Sequence, residues 1–337
     1  MSKASEWIES VWYGGGAGAA LLLPLEWLFR AGAAARRRAY AAGLLRRGHP
    51  GVPVIVVGNI TAGGAGKTPI VLWLGRHLAA SGWNPAVVSR GYGGRRGDQP
   101  EWVRPDSDPA DFGDEPVMLA RAGLPVAIGR DRLATAEFVS ANGAGVILSD
   151  DGLQHYALER DLEIIVVDGS RGLGNERCLP AGPLREPAWR LDEADMLLCN
   201  SGDRCPRGAV SWRLRLSSAR ALDSGEERPL AAFSGAPVHA VAGVGNPRRF
   251  FDSLRRSGLD VLEHPFPDHY GFRHGDLVFE DGFPVVMTSK DAVKARRLGH
   301  SGLWEVPAEV VFDGDQGQRL LDEVEGRIRA ISPGDAS

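Results

Sequence analysis

The sequence predicts an α/β fold: a parallel sheet flanked by helices, followed by a second, smaller α/β domain and preceded by an amphipathic helix. Three observations predict it. Short apolar segments typical of buried strands alternate with segments of helical periodicity, an order that indicates a parallel sheet. The first such strand, residues 54–57, leads through a glycine-rich turn into a helix. The fifty residues before it differ in composition from the rest of the chain.

The turn after the first strand has the residues of a phosphate-binding loop, or P-loop. Residues 54–69 read VIVVGNITAGGAGKTP. Backbone N–H groups of such a turn and the positive end of the helix dipole attract an anion, while a lysine reaches the terminal phosphates and a hydroxyl binds Mg²⁺. The consensus has glycine where this chain has Thr61. We predict a P-loop NTPase-type domain whose phosphate-binding residues are Thr61, Ala62, Gly63, Gly64, Ala65, Gly66, Lys67 and Thr68.

Composition limits the class of protein. A length of 337 residues suggests about two domains. With 43% hydrophobic and 24% charged residues, the chain has the composition of a soluble globular protein. A net charge of −4 argues against a mainly electrostatic nucleic-acid binder, so no nucleic-acid partner is expected. Three cysteines without CxxC spacing favour a reducing compartment over a disulfide scaffold.

Residues 1–50 form a separate basic segment, with seven basic and three acidic side chains. An apolar run at residues 17–25 contains Pro24 and has aromatic residues, among them Trp12 and Trp27, on both sides. The run is shorter than the roughly 20 apolar residues that cross a bilayer. Its flanks also argue against a signal peptide. We predict an amphipathic helix on an anionic membrane surface; the alternative is a core helix with a basic solvated face.

The nucleotide-binding half continues with a helix at residues 70–80 and a strand at 86–88. That strand runs into Ser89-Arg90-Gly91-Tyr92-Gly93-Gly94. Doubly wound folds bind ligands at the carboxyl ends of strands, which suggests a ligand-facing loop. A flexible surface loop is an equally good interpretation.

Two acidic sites follow. Asp114 precedes an apolar helix at residues 117–122, where it could be a helix cap or a base kept ionised by the helix N-terminus. A strand at 145–148 ends in Ser149-Asp150-Asp151-Gly152. An apolar strand ending in Asp is the Walker B arrangement, in which the carboxylate holds Mg²⁺, although Asp-Asp-Gly also suits a simple turn.

Strands at residues 163–167 and 196–200 complete this half. Between them, residues 169–187 are rich in Gly and Pro, which suggests a ligand or lid role. An arginine-rich connector, including a strand at 210–216, leads to a second unit with strands at 238–244 and 285–287. Asp268-His269 in that unit is either structural or a base with its orienting carboxylate. We predict segments 1–50, 51–205, 206–236 and 237–333, with residues 332–337 frayed.

Several motifs in this order resemble one known family. They are Trp12-Tyr13, VGNIT at 57–61, GGAGKTP at 63–69, SRGYG at 89–93, GDEP at 113–116, DDGLQH at 150–155, LPAGPLREP at 179–187, FPDH at 266–269 and KDAVK at 290–294. The chain resembles the tetraacyldisaccharide 4′-kinases, the lipid A 4′-kinases of Gram-negative bacteria, over nearly its whole length. Thr61 in the P-loop is usual in that family. Leu153, Tyr270 and Ser289 depart from its usual residues without removing a reacting group.

The resemblance implies transfer of the γ-phosphoryl group of ATP to the 4′-hydroxyl of tetraacyl-diglucosamine 1-phosphate, with Mg²⁺ as cofactor. It implies that Lys67 binds phosphates, that Thr68 and Asp150 organise Mg²⁺, and that Asp151 acts beside Lys67. Asp114 and His269 become the dyad that accepts the proton of the hydroxyl group. Lining the lipid or nucleotide side of the cleft are Asn59, Arg90 and Tyr92.

A lipid acceptor also favours attachment of residues 1–50 to the lipid surface of the inner membrane. The protein would then be peripheral or monotopic on the cytoplasmic face. The alternative function is a P-loop regulatory or metallochaperone-type NTPase that acts through protein partners.

Overall fold

The computed structural model of the chain describes residues 3–14 and 18–331. In these residues the α-helices are α1 Lys3–Tyr13, α2 Gly18–Ala41, α3 Lys67–Ala80, α4 Pro109–Phe112, α5 Asp114–Arg121, α6 Arg132–Ala141, α7 Pro247–Arg256, α8 Ser289–Ala295 and α9 Gln316–Ile331. The strands are β1 Val54–Gly58, β2 Pro85–Ser89, β3 Glu101–Val103, β4 Val126–Ile128, β5 Val146–Asp150, β6 Leu162–Asp168, β7 Met196–Asn200, β8 Val210–Leu216, β9 Ser218–Ala221, β10 Glu227–Pro229, β11 Pro237–Ala242, β12 Asp260–Pro265, β13 Val285–Thr288, β14 Leu303–Val306 and β15 Ala308–Phe312. Short 3₁₀ helices lie at Ala188–Glu193, Leu230–Phe233, His274–Leu277 and Arg296–Leu298.

A nine-stranded sheet in the order β15-β8-β7-β6-β1-β5-β2-β4-β3 forms the larger domain. Its strands are parallel except at the two edges, where β15 and β3 run antiparallel to their neighbours. The predicted strands occur close to their predicted bounds. In the register between β1 and β5, Val57 pairs with Asp150, so the P-loop begins beside the acidic end of β5. The predicted α/β class with a parallel sheet is confirmed.

Both faces of this sheet are covered by helices, as a parallel sheet requires. On one face, α3, α5 and α9 contribute Leu74, Val117 and Val324 to a buried apolar cluster. On the other face, α6 contributes Leu133 and Ala136. Buried apolar residues therefore hold the P-loop strand rigid from both sides.

The N-terminal helix α2 packs on the same domain. Its Glu26 is buried and accepts a hydrogen bond from the backbone N–H of Cys178 at 3.0 Å. Phe29 packs against the apolar cluster that includes Ile60 and Leu184. None of the helices in residues 3–14 and 18–331 is long and apolar enough to span a membrane.

A second sheet, in the order β10-β9-β14-β13-β11-β12, forms the smaller domain with α7 and α8. The sheets divide the chain differently from the predicted segments in two places. β8, predicted to lie in the connector, pairs with β7 in the larger sheet. β15 and α9, predicted to lie in the C-terminal domain, also belong to the larger domain, because apolar residues such as Leu321 are buried against it.

Two of the three cysteines are paired, a contact that the sequence interpretation did not include. Cys199 and Cys205 are joined by a disulfide, with their Cα atoms 5.7 Å apart, because the loop after β7 turns back on the strand end. Cys178 is buried and free. The bond closes only a short loop and does not make the domain a disulfide scaffold. The predicted frayed end, residues 332–337, lies outside the described residues.

Candidate active site

The P-loop follows β1 directly and ends at Lys67, the first residue of α3. Gly66, at the N-cap of α3, has φ +93°, and a Cβ atom there would lie 2.7 Å from the Trp212 ring, so only glycine fits. Within the part of the chain that the structure describes, no side chain caps this helix. The first-turn N–H groups therefore face the loop without a side-chain acceptor, which suits a bound phosphate.

A polar cluster lies beside the P-loop. Lys67 Nζ donates to Asn59 Oδ1 at 3.0 Å and lies 3.5 Å from Asp151 Oδ1. Arg185 donates from both terminal nitrogens to the two oxygens of Asp151, at 3.3 and 3.0 Å, and also contacts Asn59. Burial acts to raise the pKa of Asp151, but the charges of Lys67 and Arg185 outweigh it and lower the pKa to about 2. The Asp151 carboxylate is therefore ionised throughout the physiological range.

The family resemblance places Asn59 on the lining of the cleft, but the structure places it inside the domain. It is fully buried, and its amide donates to the backbone oxygens of Thr61 at 2.8 Å and Gly63 at 3.3 Å. The side chain therefore holds the P-loop in shape from inside. An amide suits this position because its nitrogen donates to the P-loop backbone while its oxygen accepts a hydrogen bond from Lys67.

We expect Arg185→Ala to lower kcat/KM by roughly 10- to 100-fold, the range for loss of a charge-assisted hydrogen-bond pair. Steady-state kinetics checks this. Arg185→Lys should recover little, because an ammonium group cannot reproduce the two-pronged contact with Asp151. Arg177→Ala is the matched control, since Arg177 is in the same loop and pairs with Glu26 at 3.6 Å instead. Equal losses in the two alanine variants would contradict the assignment.

The predicted magnesium residues lie together. Thr68 Oγ1 donates to Asp150 Oδ2 at 3.3 Å, and Asp150 Oδ1 is buried without a hydrogen-bond partner among the described residues. Within those residues no group of three or more His, Cys, Asp or Glu could hold a metal by itself. Mg²⁺ needs no such group, because it binds one or two protein oxygens together with water and substrate phosphates. Burial, and next the charge of Glu115, raise the pKa of Asp150 to about 7, which also fits a site that a cation would neutralise.

The dyad predicted across the two domains is formed. His269 Nδ1 lies 3.0 Å from Asp114 Oδ2 although the residues are 155 positions apart in the chain. Helix α5, which begins at Asp114, packs against α8 of the smaller domain and so holds the two domains together at this point. The N-cap of α5 is Gly113, and Asp114 is the first residue of the helix. Among the described residues no side chain caps α5, so Asp114 does not act as its cap.

Two lysines of the smaller domain surround the dyad. Lys290 Nζ lies 3.4 Å from His269 Nε2, and Lys294 Nζ lies 3.7 Å from Asp114 Oδ2. With an ammonium donor at Nε2, the ring proton belongs on Nδ1, which then donates to Asp114. Burial acts to lower the pKa of Lys290, but the carboxylates of Glu115 and Asp268 outweigh it and raise the pKa. Lys290 is therefore a permanent cation in the cleft.

The loop after β2 reaches the dyad, as expected for a ligand-facing loop. The Tyr92 ring lies 5.5 Å from the His269 ring, centroid to centroid, and is 70% exposed. Arg90, two residues earlier, is also exposed. Both side chains are free to meet a ligand that approaches the dyad.

Comparisons with known proteins agree with this geometry. The family model described as "LpxK: Tetraacyldisaccharide-1-P 4′-kinase" matches residues 18–325. The chain belongs to this family of tetraacyldisaccharide-1-P 4′-kinases. It is 47% identical to the tetraacyldisaccharide 4′-kinase of Nitrosococcus oceani, over 95% of each chain, and 49% identical to that of Halorhodospira halophila, over 98% of each chain.

The family likeness extends to structure. A crystal structure of LpxK from Aquifex aeolicus in complex with ATP matches with a TM-score of 0.77 and 27% identity, covering 92% of this chain and 99% of that one. This agreement in both sequence and structure rests on nearly the whole chain, and the regulatory or metallochaperone interpretation is not favoured.

Some side chains at this 4′-kinase site had no predicted role. Arg185 lies within the Gly- and Pro-rich stretch predicted to bind a ligand, but nothing in its sequence neighbourhood indicated a partner 126 positions away. Lys290 and Lys294 lie on one face of α8. They belong to the KDAVK motif, which supported the family resemblance without assigning either lysine a role. Arg132 is also new: its Nη2 donates to the backbone oxygen of Asp150 at 2.9 Å from a buried position.

Proposed function

We propose that this chain transfers the γ-phosphoryl group of ATP to the 4′-hydroxyl of the lipid A disaccharide 1-phosphate. The observation that carries the proposal is the Asp114–His269 pair, in which a carboxylate of the larger domain and a histidine of the smaller domain together form a proton acceptor. A switch NTPase that only hydrolyses nucleotide does not need such a pair beside an exposed tyrosine. Membership of the 4′-kinase family supplies the chemical class of the acceptor.

In this proposal the P-loop holds the nucleotide phosphates. The N–H groups at the start of α3 bind the β- and γ-phosphates together with Lys67, whose ammonium group Asn59 and Asp151 hold beside the loop. Asp151 and Arg185 keep Lys67 oriented. Phosphoryl transfer has a loose transition state, so positioning and charge neutralisation supply most of the rate.

Thr68 and Asp150 are the residues that would hold Mg²⁺, through a hydroxyl oxygen and a carboxylate. When bound, Mg²⁺ neutralises charge that develops on the phosphate oxygens. Asp150 needs its proton removed for this role, and a cation favours that removal.

The dyad accepts the proton of the 4′-hydroxyl as the oxygen attacks phosphorus. Asp114 Oδ2 accepts from His269 Nδ1, whereas Oδ1 accepts no hydrogen bond from the described residues and can receive the hydroxyl proton. The Asp114 carboxylate lies in the first turn of α5, where the positive end of the helix dipole attracts a negative charge. Tyr92 and Arg90 would contact the acceptor sugar above the dyad.

The exposed face of α2 supports a membrane-surface location. Leu21, Leu25 and Leu28 recur at the spacing of one helix face and are 80%, 53% and 71% exposed, and Trp27 beside them is 65% exposed. An apolar stripe of this size, followed by Arg36, Arg37 and Arg38, suits a helix lying in an anionic interface. We propose a peripheral or monotopic location on the cytoplasmic face of the inner membrane, where ATP and the lipid acceptor meet.

We expect the double variant Leu21→Glu/Leu28→Glu to bind vesicles of phosphatidylglycerol and phosphatidylethanolamine roughly tenfold or more weakly, because two exposed leucines that would enter the bilayer are replaced by charges. Cosedimentation with the vesicles measures the bound fraction. Leu262→Glu/Val278→Glu, at two exposed apolar positions of the smaller domain, is the matched control. Unchanged binding of the α2 variant would contradict the membrane assignment.

Incubation with γ-labelled ATP and total Gram-negative lipid tests the function itself. We expect label in a glycolipid that migrates as a bisphosphorylated product. Label found only as inorganic phosphate, with release accelerated by a protein partner, would instead indicate a regulatory NTPase. Label in a water-soluble product would indicate a different acceptor.

A further inference from the structure

Lysine is scarce in this chain, and two of its lysines lie beside the dyad. Only four of the 39 basic side chains are lysines, at positions 3, 67, 290 and 294; the others are arginines. Lys67 is the P-loop lysine, and Lys290 and Lys294 are on α8. Because the chain otherwise uses arginine for its positive charges, a lysine beside the site indicates a position that needs a compact ammonium group.

Lys294 is buried against the carboxylate of Asp114. Its side chain is 9% exposed, and its Nζ atom lies 3.7 Å from Oδ2 of Asp114 and 2.9 Å from Oδ1 of Asp291. The Phe272 ring lies on a further side, with its centre 5.2 Å from the ammonium group. Among the described residues, Nζ makes these ion pairs but no contact with the angles of a hydrogen bond. The attraction is therefore mainly between charges, and it joins the smaller domain to the larger one.

Asp291 holds Lys294 in place from within the smaller domain. Its side chain is fully buried, and Oδ2 accepts hydrogen bonds from the backbone N–H of Gly243 at 3.0 Å and from Thr288 Oγ1 at 2.7 Å. A Cβ atom at position 243 would lie 3.0 Å from Oδ1 of the same carboxylate, so glycine gives the carboxylate room. Lys294 follows Asp291 by three residues on α8, which places both side chains on one helix face. Two hydrogen bonds thus fix the carboxylate, and the carboxylate fixes the ammonium group.

Stability alone gives little reason for a buried ion pair at this place. Phe272, which the ammonium group contacts, belongs to an apolar cluster with Met287 and Ala292. Buried charges are costly to desolvate, and apolar side chains of similar volume are often equally stable in place of a buried pair. A pair that lies in such surroundings and has one end on the proton acceptor indicates a role in the reaction.

We propose that Lys294, anchored by Asp291, is a positioning residue for the base Asp114. Lys294 attracts Oδ2 toward the smaller domain, where His269 Nδ1 donates to the same oxygen, and so leaves Oδ1 for the proton of the 4′-hydroxyl. The inference rests on the proposed function and deepens it, because it states what orients the base when the two domains are in contact.

The test measures Lys294→Met, which keeps a side chain of similar length without the charge. We expect kcat for transfer to the disaccharide 1-phosphate to fall by roughly 10- to 100-fold, while KM for ATP and for the acceptor changes by about twofold or less. In the Asp114→Ala background the same substitution should lower kcat by about twofold or less, because Lys294 acts through that carboxylate. A loss of equal size in both backgrounds, or a loss confined to KM, overturns the proposal.

A second variant separates loss of position from loss of folding. Lys294→Met leaves the Asp291 carboxylate buried without its counter-ion, whereas Asp291→Asn/Lys294→Met removes both charges and keeps an oxygen for the Gly243 and Thr288 donors. We expect this double variant to unfold at or above the wild-type temperature, with kcat still lower by roughly 10-fold or more. A double variant as active as the wild type overturns the proposal, and one that does not fold shows that the pair is structural and also overturns it.

Arg297→Met is the matched control for a simple tether between the domains. Arg297 is three residues beyond Lys294 and contacts Asp108 of the larger domain from a half-exposed position. Its loss should change kcat by about threefold or less, as expected for an exposed ion pair. Equal losses in Arg297→Met and Lys294→Met would show that Lys294 supplies only contact between domains. No transfer by the wild type overturns the proposed function, whereas normal transfer by both the wild type and Lys294→Met overturns this inference alone.

Discussion

Asp114→Ala should lower kcat by roughly 10²- to 10⁴-fold, the usual contribution of a general base, while the KM for ATP changes by about twofold or less. The physical reason is local. The carboxylate lies at the start of α5 and accepts a hydrogen bond from His269, whereas the N–H groups that bind phosphate belong to the P-loop and the start of α3. Steady-state kinetics with varied ATP and saturating acceptor measures both constants.

Asp111→Ala is the matched control for this prediction. Asp111 is three residues earlier and pairs with Arg95 at 2.7 Å instead of facing the dyad. Its loss should change kcat by about threefold or less, as expected for an exposed ion pair. Near wild-type turnover of Asp114→Ala would contradict the assignment of the base.

His269→Ala completes the test of the dyad. It should lower kcat more than it raises KM, because His269 orients the base Asp114 and is not only a binding contact for the acceptor. If the two groups work as one unit, the double variant should be about as slow as Asp114→Ala, because effects within a unit do not add. Fully additive losses would show that the residues act independently.

Asp150→Asn should give the second large effect: turnover lower by roughly 100-fold or more, with a folded state that is more stable than the wild type without Mg²⁺. The raised pKa of Asp150, about 7, is the reason. An amide has nearly the shape of the carboxylate and removes a buried charge that only a cation would neutralise. Thermal unfolding with chelator present should show a midpoint higher by about 2–4 °C per kcal/mol gained.

The pH dependence of this gain has a definite sign. In the unfolded chain the Asp150 carboxyl loses its proton near its ordinary pKa of 3.8, whereas in the folded chain it keeps the proton to about pH 7. Wild-type stability from this group is therefore greatest at low pH and is lost as the pH rises from about 4 to 7. The difference between Asp150→Asn and wild type should widen across that window and then level off. A gain that is the same at pH 4 and pH 8 would contradict the burial argument.

Much of the site that lies on one sheet could be predicted from the sequence. Apolar strands ending at Gly58, Ser89 and Asp150 carry their functional residues at the next positions, and parallel strands bring those ends to one edge. These strands can be located because each is buried on both faces and reads as a short, continuous apolar run bounded by turn residues.

Contacts between distant segments could not be predicted in the same way. The approach of His269 to Asp114 depends on the packing of α5 against α8, and Arg185 reaches Asn59 through a loop with no periodic pattern. For Asn59 the family resemblance implied a place in the cleft, whereas the structure shows a buried side chain that supports the P-loop. Resemblance to a family supplied the dyad, whereas elementary patterns left Asp114 as a helix cap.

The return of the chain to the larger sheet had no local signal either. The helix α9 shows an amphipathic pattern, but a pattern states that a face is buried and not against which sheet. Val324 and Ile328 settle that question only through packing in the main cluster.

The position of the transferred phosphate on the acceptor sugar distinguishes a 4′-kinase from every alternative. Purified chain, ATP with Mg²⁺ and the disaccharide 1-phosphate should yield ADP and one lipid product, and phosphorus–proton correlation NMR should place the new phosphate on the 4′-oxygen. A phosphate on another hydroxyl, or ADP and inorganic phosphate without a phosphorylated lipid, would contradict the account.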